Sequence, residues 1–292
     1  MDNINYTFII PHKDSPKLLQ RCINSIPRRS DIQIIIVDDN SNEHKVNFKS
    51  FPGANEYNID IYYTKEGKGA GYARNVGLKH AKGKWLLFAD ADDYYNTGFI
   101  KILDKYINTS YDIILYKVSS NIQGKYDRSK RINHAIDQYK NDNITLKELK
   151  FMHWQPWNKM VSKRFIENNN IYFDEIPIGN DAFFSLTAAE CTDNIHVIED
   201  PIYCNTFNQE SITYRKSCFQ RELNLLDVNL RINKFLRSHG LAKFQMRLIG
   251  KIISIFKDYD GKDFISYLKY INEKDSLTNI LKHNIYRLLH IY

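Results

Sequence analysis

Cysteine, glycine and proline are scarce in this sequence of 292 residues, which contains 4, 12 and 7 of them. Four cysteines are too few for a disulfide scaffold, and none forms the C-x-x-C pair typical of structural zinc sites. So little glycine and proline excludes collagen-like and low-complexity chains. Because 13% of the residues are aromatic, intrinsic disorder is excluded as well. We therefore expect a globular protein with reduced thiols.

Long uncharged apolar runs are also absent. No run reaches the roughly 18 residues that a helix needs to span a bilayer. The first 20 residues carry charges at Asp2, Lys13 and Asp14 and lack the apolar core of a secretion signal. These absences predict a cytoplasmic protein.

Charge is divided unevenly along the chain. Residues 1–214 contain 26 Lys and Arg against 27 Asp and Glu, whereas residues 215–292 contain 15 against 7. The net charge of +7 therefore arises in the C-terminal region, and we expect the two regions to face different partners. Nucleic acid is not an expected partner, because the basic region lacks interleaved aromatic recognition motifs.

The first 118 residues alternate apolar strand-like runs with helical stripes. We predict strands at residues 6–10, 32–37, 59–63, 85–89 and 112–118, and helices at 18–26, 70–81 and 99–107. Strands joined by helices indicate an α/β fold with a mostly parallel sheet flanked by helices. The polar residues 120–150 are predicted to form a loop or a weakly ordered segment. Residues 217–292 are predicted to form a helical C-terminal appendage.

Carboxylates follow two of the predicted strands. Asp38 and Asp39 come after the second strand, and Asp90-Ala91-Asp92-Asp93 comes after the fourth. Ligands of open parallel sheets bind beyond the carboxyl ends of the strands, so these side chains are expected to meet. A divalent cation would offset their repulsion, and hard oxygen ligands suit Mn²⁺ or Mg²⁺. Residues two apart on an extended segment point the same way, so Asp90 and Asp92 would both face the ligand.

A glycine-rich run leads into the predicted helix at 70–81; it reads Gly67-Lys68-Gly69-Ala70-Gly71-Tyr72-Ala73-Arg74-Asn75. Backbone N–H groups at such a helix start bind phosphates, although the run is also typical of a flexible turn. It lacks the complete G-x-G-x-x-G motif and follows the third strand, which argues against an NAD or FAD site. Arg74 would contact a base or a diphosphate, unless it forms an ordinary surface ion pair.

Four segments occur together in a characteristic order. They are Phe8-Ile9-Ile10-Pro11, Ile35-Ile36-Val37-Asp38-Asp39-Asn40-Ser41, Gly71-Tyr72-Ala73-Arg74-Asn75-Val76-Gly77-Leu78 and Gly83-Lys84-Trp85-Leu86-Leu87-Phe88-Ala89-Asp90-Ala91-Asp92-Asp93. In this order they resemble the family 2 glycosyltransferases of the GT-A fold, of the type that builds bacterial surface polysaccharides. The resemblance covers residues 4–118, continues more faintly at 156–159 and 180–184, and fades after about residue 215.

The resemblance implies an inverting glycosyltransferase that moves a sugar from a UDP-sugar donor to a glycan or a lipid-linked oligosaccharide. It implies that Pro11 lines the nucleotide pocket, that Asp39 contacts the uracil and that Arg74 lies close to the base. Asp90 and Ala91 of the D-x-D segment would serve the nucleotide sugar.

The resemblance also implies a metal ligand and a catalytic base. Asp92, the second carboxylate of the D-x-D segment, would bind Mn²⁺ or Mg²⁺ directly. Asp181 would take the proton of the acceptor hydroxyl. Asn180 stands where the family has a glutamate, and Asp181 is also placed to cap the following helix.

Other interpretations of the same residues stay open. Trp154 and Trp157 would form a stacking platform for an acceptor sugar, or would pack in the core. Two alternative functions are a nucleotidyltransferase and a nucleotide-sugar-binding subunit without activity. A nucleotidyltransferase lacks support because no basic glycine-rich loop follows the first strand. An inactive subunit conflicts with the presence of Asp39, Asp92 and Asp181.

We expect three parts: a nucleotide-sugar-binding half at residues 1–118, an acceptor-binding half with the base at 119–215, and a basic helical region at 216–292. Within the last part, an apolar stripe with basic residues among its members follows helical spacing at Phe244, Leu248, Ile252, Ile255 and Phe256. This stripe predicts docking on the anionic inner face of the cell membrane, unless it packs on the rest of the chain or on a second copy in a homodimer.

Overall fold

The computed structural model describes residues 4–122, 127–207 and 218–288. The chain divides into two compact units, Met1–Tyr214 and Arg215–Tyr292. In the described part of the chain, no helix combines the length and the apolar character needed to cross a membrane.

The described residues of the first unit contain one eight-stranded sheet. In chain order its strands are β1 (Tyr6–His12), β2 (Ile32–Asp39), β3 (Ile59–Thr64), β4 (Trp85–Phe88), β5 (Tyr94–Tyr95), β6 (Ile113–Ser120), β7 (Lys159–Ser162) and β8 (Ile195–Asn205). Their order across the sheet is β3-β2-β1-β4-β7-β6-β8-β5. Four of the seven strand pairs are parallel, and β7 runs antiparallel between β4 and β6. The predicted α/β fold with a mostly parallel sheet is confirmed.

Helices cover both faces of this sheet. They are α1 (Pro16–Asn24), α2 (Ala70–His80), α3 (Phe99–Leu103), α4 (Ser129–Lys140), α5 (Leu146–Lys150), α6 (Lys163–Asn168) and α7 (Ala182–Cys191). In β1, Phe8 and Ile10 belong to one apolar core and Ile9 belongs to the other. Because side chains alternate across a strand, the continuous aliphatic runs serve both cores.

Helix α2 lies close against β1. A Cβ atom placed on Gly77 would be 2.5 Å from the Cγ2 atom of Ile9, so a side chain there would push the helix off the sheet. The close approach holds the start of α2 beside the carboxyl end of β2, where the Gly69 N–H group donates to Asp39.

The expectation of a loop at residues 120–150 is wrong. This segment contains α4 and α5, while its residues 123–126 lie outside the described part of the chain. Ile132 and Ile136, one turn apart, are buried on the sheet. The Asn133 side chain donates to the Val118 carbonyl oxygen at 2.8 Å and accepts from its N–H group at 3.0 Å. Helix α4 is ordered because a few apolar residues and the Asn133 amide hold it against β6. The mostly polar composition of the segment does not reveal these contacts.

The second unit is helical in its described residues, as predicted. Its helices are α8 (Phe219–Ser238), α9 (Ile249–Asp258), α10 (Gly261–Lys274) and α11 (Leu277–Leu288), and a 3₁₀ turn spans Ala242–Phe244. Residues 217 and 289–292 of the predicted helical region lie outside the described part. Its apolar core contains Leu226, Leu230, Leu248, Ile255, Tyr267, Ile271 and Ile280.

The apolar stripe predicted from Phe244 to Phe256 is divided in the structure. Phe244 ends the 3₁₀ turn, and α9 begins only at Ile249. Leu248 and Ile255 are buried within the unit, whereas Phe256 is 65% exposed. Helical spacing alone does not separate the residues that pack inward from those that face outward.

Candidate functional site

The carboxyl ends of β1, β2 and β4 meet at one edge of the sheet. Pro11 and His12 end β1 and lie opposite Val37 and Asp38 of β2. Neighbouring β4 ends at Phe88, two residues before Asp90. The topology therefore brings the predicted residues Pro11, Asp39 and Asp90 to the same edge.

A buried network holds the junction of β1 and β2. His12 donates through Nδ1 to Asp38 Oδ2 at 2.7 Å, because its Nε2 atom accepts the Ser15 N–H group at 3.1 Å. Ser41 donates to Asp38 through its backbone N–H and its hydroxyl. Burial alone would raise the pKa of Asp38, but the bonds from His12 and Ser41 outweigh it and hold that pKa below its usual value. His12 and Asp38 thus fix the strand ends that carry the neighbouring Asp39.

Asp39 ties the glycine-rich run to the sheet. Its Oδ2 atom accepts the Gly69 N–H group at 2.8 Å and lies 3.8 Å from the Nζ atom of Lys13. Gly69 has a φ of 93°, a conformation in which a side chain would be strained. The run is therefore held at the strand end through the Gly69 N–H group.

Arg74 joins three segments of the site. It is 5% exposed, and it donates to Asp90 Oδ1 at 2.6 Å and to Asn180 Oδ1 at 2.9 Å. Its guanidinium group also lies over the ring of Phe173, 5.3 Å from the centroid. Arg74 is itself buried, unlike the arginine of an ordinary surface pair, whereas Asp90 is partly exposed. Asn180, which directly precedes the candidate base Asp181, accepts a hydrogen bond from this arginine.

Asp93, to which the sequence pattern assigns no role of its own, anchors the acidic loop. Its side chain is fully buried and accepts from the Thr206 N–H group at 2.6 Å, the Tyr203 hydroxyl at 2.9 Å and the Asn205 amide at 3.1 Å. Tyr203 in turn accepts the Asp90 N–H group at 3.0 Å. Asp93 therefore fastens the D-x-D segment to the end of β8.

The acidic loop carries a donor set that fits a divalent cation. Carboxylate oxygens of Asp90, Asp92 and Asp93 lie within 4.8 Å of one another. Burial, and then the negative charges of Asp90 and Asp92, raise the pKa of Asp93 to about 7, and a bound cation would offset the repulsion between these carboxylates. Ala91 is buried between the first two carboxylates, as the i, i+2 geometry predicts. Hard oxygen donors of this kind suit Mg²⁺ or Mn²⁺.

The backbone of Asp92 is held from two sides. Arg21 of α1 and the hydroxyl of Thr206 both donate to its carbonyl oxygen. Asp92 is half-buried and belongs to the same carboxylate cluster, so it is a candidate direct ligand for the cation.

Asp181 directly precedes α7 and does not cap it through its side chain. Burial raises the pKa of Asp181; the charge of Arg74 lowers it and that of Asp90 raises it. A carboxylate with a raised pKa is a stronger proton acceptor than an exposed one. Asn180, the residue before Asp181, accepts a hydrogen bond from Arg74. Arg74 also pairs with Asp90 and so links this segment to the acidic loop.

A buried polar cluster lies next to Asp181 and was not recognised in the sequence. Lys159, at the start of β7, donates to the His153 carbonyl oxygen at 2.6 Å and to Ser185 Oγ of α7 at 3.0 Å. Asn158 Nδ2 lies 2.6 Å from His153 Nδ1. The signal in the sequence is the segment Pro156-Trp157-Asn158-Lys159, where a lysine directly follows an asparagine. The structure shows that both of these residues are buried.

The two tryptophans predicted as an acceptor platform differ in their surroundings. Trp157 is buried, stacks on Tyr203 at 5.2 Å and lies beneath the guanidinium group of Arg128. Trp154 is half-buried and lies beneath the guanidinium group of Arg131. Trp157 thus packs in the core, and Trp154 is the indole that reaches the surface.

A family model described as glycosyl transferase family 2 matches residues 7–170, more than half of the chain. The chain belongs to this family. Its structure is similar to that of Staphylococcus aureus TarS 1–349 in complex with UDP-GlcNAc, with a TM-score of 0.64 and 20% identity over 91% of this chain and 80% of that one. TarS 1–349 in complex with UDP gives a TM-score of 0.60, with 20% identity over 98% and 92% of the two chains. The predicted GT-A fold is confirmed.

Curated relatives of this family 2 member are bacterial. An uncharacterized glycosyltransferase, EpsJ of Bacillus subtilis (strain 168), is 25% identical over 71% of this chain and 62% of its own. The poly(ribitol-phosphate) beta-N-acetylglucosaminyltransferase TarS of Staphylococcus aureus (strain Mu50) is 24% identical over 68% of this chain and 35% of its own. The chain thus covers less than two thirds of either relative.

Proposed function

We propose that this family 2 protein is an inverting glycosyltransferase that moves a sugar from a UDP-sugar donor to an acceptor of a bacterial surface polysaccharide. The observation that carries the proposal is the bridge that the buried Arg74 forms between Asp90 and Asn180. This bridge links the acidic loop, whose carboxylates suit a cation, to Asn180. The next residue, Asp181, has a carboxylate that does not cap α7.

The proposed donor site consists of Pro11, Asp39, Arg74, Asp90 and Ala91. The UDP and UDP-GlcNAc complexes of the structurally similar TarS support a UDP-sugar. The buried Nε atom of Arg74 has no hydrogen-bond partner among the described residues. An unpaired buried donor is costly, and a base carbonyl or phosphate oxygen of the donor would satisfy it.

Asp181 is the proposed catalytic base. An acceptor hydroxyl is a poor nucleophile at neutral pH, so a positioned carboxylate must take its proton as the new glycosidic bond forms. The acceptor oxygen then attacks the anomeric carbon from the face opposite the diphosphate. Displacement in one step inverts the configuration and needs no second nucleophilic carboxylate.

Asp92, with Asp90 beside it, is the proposed holder of Mn²⁺ or Mg²⁺. Such an ion, when bound, would neutralise charge on the departing diphosphate. The positive end of α2 and the guanidinium group of Arg74 act on the same charge without any ion.

The proposed acceptor is a glycan or a lipid-linked oligosaccharide, with a role for Trp154 in contacting it. Relatives named for poly(ribitol-phosphate) support an acceptor of the teichoic-acid or polysaccharide type. Residues 1–118 would bind the donor and residues 119–215 would bind the acceptor. The basic region 216–292 would bring the protein to the inner face of the cell membrane.

The experiment measures UDP release from UDP-glucose, UDP-galactose and their N-acetyl forms, with acceptors from surface polysaccharides. We expect Asp181→Asn to lower turnover by roughly 10² to 10⁴-fold while UDP affinity stays unchanged, because it removes the basicity and keeps the shape. Full turnover by this variant would contradict the role of Asp181 and direct the search for the base to Asp174 and Glu175.

The same assay separates the alternatives. A subunit without activity would bind UDP and release none from any donor. A nucleotidyltransferase would release pyrophosphate from a nucleoside triphosphate in the presence of a sugar phosphate, and would release no UDP from a UDP-sugar.

A further inference from the structure

Lys159 is a buried lysine whose hydrogen bonds go to neutral oxygens. Its side chain is 3% exposed, and its Nζ atom donates to the His153 carbonyl oxygen at 2.6 Å and to Ser185 Oγ at 3.0 Å. Burying an ammonium group is costly unless a negative charge offsets it. Neither of these two acceptors carries that charge.

The bond to Ser185 connects Lys159 to the turn that Asp181 begins. Ser185 lies in the first turn of α7, and its N–H group donates to the Asp181 carbonyl oxygen at 3.2 Å. The bond to His153 connects the same ammonium group to the segment that precedes β7. Lys159 therefore joins the start of α7 to a second, independent part of the chain.

The charges that face Asp181 come from three elements. Arg74 of α2 and Lys159 of β7 are positive, and Asp90 of the acidic loop is negative. Arg74 is already bonded to Asp90 and Asn180, so much of its charge is offset. Burial lowers the pKa of Lys159 to about 7, and the charge of Asp181 opposes that change. His153 is neutral beside them, since burial and the charge of Lys159 lower its pKa to about 3.

We propose that Lys159 is a positioning residue for Asp181: it holds the first turn of α7 and supplies the positive charge that stabilises the Asp181 carboxylate. The inference rests on the proposed glycosyl transfer in the kinetic test, where turnover is measured. The stability test does not depend on that function.

The first test needs no activity. Unfolding free energies are measured by urea denaturation for the wild type, Lys159→Met, Asp181→Asn and the double variant. We expect a favourable coupling between the two sites at pH 6, below the Lys159 pKa of about 7, where the lysine is charged. The coupling should shrink at pH 9, where the lysine loses its proton, and should shrink again on acidification, as Asp181 gains one. A coupling that is zero or independent of pH would overturn the inference.

The second test is kinetic. Without the positive charge, the pKa of Asp181 should rise further, so the acidic limb of the turnover profile should move to higher pH by about one unit in Lys159→Met. Turnover at pH 7 should fall roughly tenfold or more with the donor KM unchanged, because the base is also less well placed. Lys159→Arg keeps the charge and should retain the wild-type limb.

The matched control is Lys150, which is also buried and bonds the opposite end of α7. Its Nζ atom donates to the Thr192 carbonyl oxygen at 2.9 Å and to Asp193 at 2.6 Å. Lys150→Met should lower stability without moving the acidic limb. An equal shift in both variants would mean that Lys159 acts only through stability, and would overturn the inference.

A variant with a milder change covers the case in which Lys159→Met does not fold. Ser185→Ala removes one bond of the ammonium group and keeps its charge, so it should lower turnover and leave the limb in place. Wild-type turnover in Ser185→Ala would contradict the positioning role. If the wild type releases no UDP from any donor while the stability coupling follows pH as expected, the proposed function fails and the interaction of Lys159 with Asp181 stands.

Discussion

Individual carboxylates at this sheet edge differ because their partners differ. Asp38 is bonded by His12 and Ser41, Asp90 is paired with Arg74, and Asp93 accepts three bonds from the end of β8. Bonded carboxylates of this kind hold the backbone in place, and the half-buried Asp92 of the same cluster is the proposed metal ligand. One residue type therefore serves as structural anchor and as candidate metal ligand within a few positions.

Asp92 is expected to be required for cation-dependent binding of UDP. Asp92→Asn keeps the shape of the side chain and removes the charge, so Mn²⁺-dependent affinity should fall roughly 10- to 100-fold or more. Isothermal titration with and without chelator measures the change. Asp142→Asn is the control, since this exposed residue has a φ of 57° that asparagine also adopts. UDP affinity unchanged in Asp92→Asn would exclude the metal role.

Asp38 is expected to make stability depend on pH at the acidic end. Its folded pKa is lowered, so its contribution is complete above the usual Asp pKa of about 4 and is lost as pH falls through the lowered value. Between these values the wild type should lose stability more steeply than Asp38→Asn. At pH 7 the variant should be less stable by about 1–3 kcal/mol, because buried donors lose a charged acceptor. The measurement is the unfolding free energy from urea denaturation at several pH values. If it changed with pH equally in the wild type and in Asp38→Asn, the predicted role of Asp38 would be contradicted.

Among the elements, α2 organises the site through its N-terminal half. Gly69, which directly precedes the helix, donates to Asp39, and Arg74 extends from its second turn to Asp90 and Asn180. The helix lies against the segment that leads to Asp181. Close packing of backbone on backbone is what positions these side chains relative to one another.

Gly71→Ala is expected to disturb both stability and turnover. A Cβ atom at Gly71 would lie 2.0 Å from the carbonyl oxygen of Asp174, so α2 or that segment must shift. We expect a loss of about 1–3 kcal/mol in unfolding free energy, with lower UDP release. Gly250→Ala in α9 is the control, since a Cβ atom there meets nothing within 4 Å, and its stability should change by less than about 1 kcal/mol. Unchanged stability in Gly71→Ala would mean that the helix tolerates the shift.

At the scale of the whole molecule, the chain joins a nearly neutral unit to a basic one. The sheet unit holds the candidate site, and the helical unit has its own apolar core. Outside that core, Ile253 and Phe256 of α9 are 49% and 65% exposed, close in sequence to Lys251 and Lys257. Exposed apolar residues with basic neighbours are typical of helices that lie on an anionic membrane.

The full chain is expected to float with vesicles that contain anionic lipid, and less so at high salt. Each basic residue near the surface contributes about 1 kcal/mol, and inserted apolar side chains add to that. Ile253→Ser with Phe256→Ser should reduce flotation, whereas Tyr57→Ser, which changes an exposed aromatic residue of the sheet unit, should not. Absent or charge-independent flotation would exclude membrane docking. If the molecular mass in solution rose with protein concentration, and the double variant lost this rise, the exposed residues would bind a second copy of the chain instead of a membrane.

Local pattern by itself determined strands β1 to β4 and β6, their alternation with helices, the acidic loop after β4 and the resemblance to the family, whereas β5, β7 and β8 were not predicted. Those features depend on neighbours in sequence: continuous aliphatic runs, helical stripes and residues two apart on an extended segment. Tertiary structure alone decided that Arg74 meets Asn180, 106 positions away, and that Asp93 is bonded to Thr206, 113 positions away. It also ordered α4 on β6 and placed Lys159 against α7, because the contacts responsible join segments that no sequence period relates.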